Sequence, residues 1–157
     1  GDYTALIFMD KDGAVTKIIT YKDVDAVEQI ERIAKELNST RTLKQAMVEM
    51  NSIGRIYYEN LRRKVDVKIR QFNTTNETKR NIVEQLITAF QTETITIPYD
   101  EELIRELQHY AAEKTKTGYT YNGADGVNDD YVMALAMVYD LFKKGIGKTT
   151  NNSFRMV

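Results

Sequence analysis

The stretch from Tyr121 to Tyr139, YNGADGVNDDYVMALAMVY, constrains the fold more than any other. Its segment Val132, Met133, Ala134, Leu135, Ala136, Met137, Val138 is apolar almost all round. A helix of that kind has no face for water and is buried. A Gly-rich polar loop leads into it and ends in two adjacent carboxylates, Asp129 and Asp130. Two acids are therefore held at the mouth of a buried helix. One reading is capping, with Asn128 or Asp129 as N-cap and Asp130 in the first turn, since helix N-termini favour negative charge. The other is a pair of hard oxygen ligands of the kind Mg²⁺ takes. The two are compatible.

Around this helix the chain reads as alternating strands and helices. Tyr3 to Asp10 is apolar and rich in β-formers, a buried strand. Lys11-Asp12-Gly13 turns it into a second strand, Val15 to Tyr21, forming a hairpin. Asp23 to Leu37 is amphipathic, with Val24, Val27, Ile30, Ile33/Ala34 and Leu37 as the apolar stripe and Asp23 as N-cap. Ala46 to Val48 forms a short strand ending in Glu49, followed by a helix from Ile53 to Val65 and a strand from Val67 to Phe72. Thr74 and Glu77 resemble a capping box before an amphipathic helix from Lys79 to Thr92. Ile95 and Ile97 mark an edge strand stopped by Pro98, and Asp100 to Lys114 is helical. Gly118 to Gly123 reads as a last strand, and residues 145–157 as a frayed tail. Length and order predict one domain over residues 1–157, an α/β fold with a mixed sheet flanked by helices.

Composition excludes several functions. There is no Cys and one His, His109, so neither a thiolate site nor a His-rich zinc site can be built within the chain. No apolar run approaches the roughly 20 residues of a membrane span. The compartment reads as reducing and intracellular. A net charge of −1 conceals a split: Arg55 to Arg80 holds eight Lys/Arg against three acids. Such a face attracts phosphate backbones, or is an ordinary solvated surface. Arg62, Arg63, Lys79 and Arg80 are its candidate DNA contacts.

Glu49 follows Ala46-Met47-Val48 at a strand's C-terminal end, where α/β sites lie. With Asp129 and Asp130 it is a third carboxylate from a distant part of the chain. Three converging carboxylates suit Mg²⁺ or Mn²⁺, and two such ions can promote phosphodiester cleavage. Gly145-Ile146-Gly147-Lys148-Thr149 is not a phosphate loop: Phe142 stands where Gly is needed, and a helix precedes it.

Taken together, GDYTALIFMD, VEMNSIGRIYYENL, FNTTNETKRNIVEQLI, ITIPYDEELIRELQHY and GVNDDYVMALAM resemble the C-terminal nuclease domain of tailed-phage terminase large subunits, in the family's order and over nearly the whole chain. The most specific pieces are Glu-x-Asn-x-x-Gly at 49–54 and Asp-Asp-x-x-x-Ala-Leu at 129–135. The resemblance implies a ribonuclease H-like fold and metal-dependent cutting of concatemeric double-stranded viral DNA during genome packaging. It implies two Mg²⁺ or Mn²⁺ ions, with Glu49, Asp129 and Asp130 as metal ligands. Its implied partners are DNA, the ATPase domain of the same parent chain, the small terminase subunit and the portal, in the cytoplasm of a bacterial host. Two departures stand out. Asn128 occupies the place of a His common in the family, and the family's first catalytic Asp falls on a strand upstream of Gly1. That second departure implies an unpaired central sheet position, relieved by rearrangement or self-association, and weak activity. The competing readings are another ribonuclease H-like nuclease, of transposase or resolvase type, and a non-catalytic DNA-binding or docking module.

Overall fold

The computed structural model describes residues 3–117, 130–145 and 152–156. Strands β1 (Tyr3–Met9) and β2 (Val15–Lys22) form an antiparallel hairpin. Its turn uses Gly13 at φ 82, and the Asp10 carboxylate accepts from the N–H groups of Asp12 and Ala14 at 2.9 and 3.0 Å. Helix α1 (Ala26–Ser39) follows, then β3 (Leu43–Glu49), α2 (Ser52–Lys64), β4 (Lys68–Phe72) and α3 (Asn76–Gln91). Two long helices, α4 (Glu101–Thr117) and α5 (Asp130–Gly145), precede the last strand, β5 (Asn152–Met156).

The sheet order is β2-β1-β5-β3-β4. β1 is antiparallel to both β2 and β5, and β3 is parallel to both β4 and β5. Helices cover both faces. Ala5, Ile7 and Met9 point to the side of α3, α4 and α5; Leu6 and Phe8 point to the side of α1 and α2. β1 therefore reads as a continuous apolar run rather than an alternating one, because both of its faces are dry. α5 is the centre of the first layer: every residue from Tyr131 to Leu141 is buried, as its all-round apolar sequence requires.

Several local expectations change. α1 is capped by Asp25, whose side chain accepts from Glu28 N–H; Asp23 instead takes φ 54 in the turn after β2. Val27 is 74 % exposed, since the buried stripe of α1 runs through Gln29, Ile30, Ile33, Ala34 and Leu37. The capping box at α3 joins Thr75 and Thr78, not Thr74 and Glu77. The Ile95–Ile97 segment contributes one bridge, Ala14 to Thr96, rather than a strand. The expected strand at 118–123 lies outside the described residues. Residues 152–156, expected to fray, form β5 in the centre of the sheet. The central position is thus occupied by the chain's own C-terminal segment, and the described sheet is continuous.

Candidate active site

Glu49 closes β3, in register with Phe72 of β4, and is half-buried. Its carboxylate accepts from Thr74 Oγ1 at 2.7 Å. The turn that follows is built by the Glu-x-Asn-x-x-Gly spacing. Asn51 is the N-cap of α2, its Oδ1 accepting from Gly54 N–H at 2.7 Å. Gly54 lies directly on the strand end: a Cβ there would stand 1.7 Å from the Glu49 carbonyl oxygen. Only a residue without a side chain lets the helix start so close to the acid.

Asp130 is the first residue of α5 and is half-buried. It lines a cavity of about 430 Å³ with Tyr3, Asn51, Ile53, Ile56 and Tyr57. One wall is fixed by Gln29, whose Oε1 accepts from Thr4 Oγ1 at 2.7 Å and from Tyr57 OH at 2.6 Å, while its Nε2 donates to Val24 O at 2.6 Å. Asp130 and Glu49 are therefore at one end of the sheet, because β1 starts where the antiparallel β3 ends and Asn51 belongs to both surroundings. The described residues contain no group of three acids or histidines placed to hold a metal. Asp129 lies outside the described residues.

Sequence reasoning passed over Glu106. It is 4 % exposed on the inner face of α4. Its Oε1 accepts from Val132 N–H at 3.1 Å and its Oε2 from Tyr3 OH at 2.8 Å; Tyr131 N–H is a further donor. Its carboxyl is pushed up to about 7, chiefly by burial and in lesser part by the nearby Asp130, against the opposing effect of these donors. Tyr3 is raised as well, first by burial and then by its bond to Glu106. A signal was present: Glu106 sits three residues after Leu103 and four before Tyr110, both buried, so it belongs to the apolar stripe of α4.

The basic residues divide. Lys79 and Arg80 lie in the first turns of α3, just after the Asn73–Thr75 segment that contacts Glu49. Arg62 and Arg63 occupy the last turn of α2, roughly 15 Å along the helix from its start beside Glu49. There they complement the helix dipole, and Arg62 also lies over the Tyr58 ring at 5.9 Å. His109 is exposed on α4.

A mixed sheet covered on both faces, with acids at the C-terminal end of a parallel strand and at the start of a buried helix, defines an α/β domain with an acidic site at one end of its sheet. The family model described as Terminase RNaseH-like domain matches residues 1–142. The chain belongs to that family, and is a nuclease-type domain of phage DNA packaging. Neither the curated proteins nor the solved structures contain a match. No helix among the described residues is long and apolar enough to cross a membrane.

Proposed function

We propose that this domain is a Mg²⁺- or Mn²⁺-dependent endonuclease that cleaves concatemeric double-stranded viral DNA during packaging. Glu49, Asp129 and Asp130 would hold the ions: all are hard oxygen donors, and Glu49 and Asp130 come from separate elements to one end of the sheet. Ions bound there supply an activated water and stabilise the leaving oxygen in phosphodiester hydrolysis. Thr74 orients the Glu49 carboxylate, and Asn51 with Gly54 fixes the strand end that carries it. Lys79 and Arg80 face the DNA backbone beside Glu49; Arg62 and Arg63 contact it only if the duplex runs along α2. The ATPase domain of the parent chain, the small terminase subunit and the portal are the partners this role requires.

The observation that carries the reading concerns capping. The N–H groups of Tyr131 and Val132, which a capping side chain at 128 or 129 would take, already donate to Glu106. The paired acids are thus not needed to cap α5. The test is cleavage of linear duplex DNA, together with Mn²⁺ calorimetry, on the parent protein and on Glu49→Ala and Asp129→Asn/Asp130→Asn. Both variants should keep their melting behaviour and lose cleavage, and the double variant should lose Mn²⁺ binding. Full cleavage by Glu49→Ala would reject the nuclease assignment in favour of a docking module.

A further inference from the structure

Resting on that reading of the acids, we propose that Glu106 is a positioning residue, which caps α5 from the neighbouring helix and so aims Asp130 at the end of β3. Helix N-termini are ordinarily satisfied from their own flank. Here the acceptor comes from α4, 26 residues earlier in sequence. One carboxyl oxygen takes the Val132 N–H and the other takes Tyr3 OH. Three elements therefore meet at one buried side chain: β1 through Tyr3, α4 through Glu106 and α5 through Val132. The Tyr3 ring also packs against that of Tyr131, the residue after Asp130, tilted by 45° with centroids 5.4 Å apart. Tyr131 in turn is tied to β2 by its OH, 2.6 Å from Thr20 Oγ1. The first turn of α5 is thus held on two sides, and the direction in which Asp130 leaves the helix is set by groups on β1, β2 and α4.

Two variants and two readouts test this. Glu106→Leu keeps the volume but offers no acceptor; Glu106→Gln keeps one acceptor oxygen for Val132 N–H. In the unaltered protein the Tyr131 and Val132 amides should resist hydrogen exchange, although first-turn amides lack a helical partner and normally exchange freely. Glu106→Leu should lose that protection, and Glu106→Gln should keep it. For Mn²⁺ affinity, Glu106→Leu should fall roughly ten- to hundredfold, with Glu106→Gln within about threefold of the unaltered protein. Tyr139→Phe, which removes the contact of Tyr139 OH with Thr94 Oγ1 at 2.8 Å further along α5, destabilises the same helix and should leave Mn²⁺ affinity unchanged. Rapid exchange of these amides in the unaltered protein overturns the proposal, and needs no variant to fold. So does Mn²⁺ binding by Glu106→Leu equal to the unaltered protein's, or an equal loss in Glu106→Gln. If the unaltered protein binds no Mn²⁺, the metal reading fails, and the exchange result still decides the role of Glu106.

Discussion

Gly54→Ala is the substitution for which the structure gives the firmest magnitude. The added Cβ would meet Glu49 O at 1.7 Å, Glu49 C at 2.9 Å and Asn51 Oδ1 at 3.0 Å. Ordinary contact begins near 3.4 Å, so backbone must retreat by about 1.7 Å, and no flexible side chain can absorb the movement. Overpacking of this kind costs about 1–3 kcal/mol. The retreat also lengthens the Asn51 cap, a loss of about 1 kcal/mol. Against these, Ala in place of Gly gains up to about 1 kcal/mol of helix propensity. The net expectation is a loss of about 2 kcal/mol, or roughly 4–8 °C in a chain of this length. Asn51→Ala removes only the cap and should cost about half as much. Urea and thermal melts of both variants measure the difference. Mn²⁺-dependent cleavage should fall further in Gly54→Ala than in Asn51→Ala, because the displaced carbonyl belongs to Glu49 itself. A Gly54→Ala protein as stable and as active as the unaltered one would refute the close approach of α2 to the strand end.

The Glu106 carboxyl, normally near 4.5 and raised to about 7 in the fold, contributes stability fully present below pH 4.5 and lost as pH rises to about 7; at ~1.4 kcal/mol per pH unit this is at most about 3 kcal/mol. Glu106→Gln should therefore gain on the unaltered protein between pH 5 and pH 8 in parallel urea titrations, and a constant difference across that range would contradict the assignment. Gln29→Leu leaves the hydroxyls of Thr4 and Tyr57 without their shared acceptor and should cost about 2 kcal/mol or more, read by denaturant melts; a neutral result would show that the network adds nothing to stability.

Local pattern carried much of this fold. The all-round apolar run of α5 and the short strand before Glu49 are visible because periodicity and burial are properties of neighbouring residues. The 49–54 spacing is visible as a motif, but its cause is not, since the approach of Gly54 to the Glu49 carbonyl is a tertiary event. Val27 and Ile56 sit at helical spacing and yet are exposed: the buried stripe of α1 runs through Gln29, Ile30, Ile33, Ala34 and Leu37, and α2 turns Ile56 toward the cavity rather than the sheet. β5 was hidden for a different reason. Asn152, Ser153 and Arg155 make a poor match to a central strand, which ordinarily reads as an apolar run. Its place is set by the hydrogen-bonding edges of β1 and β3, and both lie far away in sequence.

Glu106 shows how a pattern can be read correctly and still mislead. An acid within a helical stripe suggests a break in the buried face, yet here the stripe is continuous and the acid is inside it. For stability alone this is a poor arrangement: a carboxyl drawn out of water beside Asp130 is disfavoured in its charged form both by burial and by a like charge. Local conflicts of this kind concentrate where a fold does chemistry. The conflict here lies at one end of the sheet, where Glu106 of α4 meets the first turn of α5 close to Asp130. Burial is the larger cause of the raised Glu106 carboxyl and the Asp130 charge a lesser one; that Asp130 charge is also one that would draw a divalent cation to this end. The like-charge part of the cost at Glu106 and an attraction for a divalent cation would then share one source, the Asp130 carboxylate, beside which the Glu106 cap keeps α5 in place.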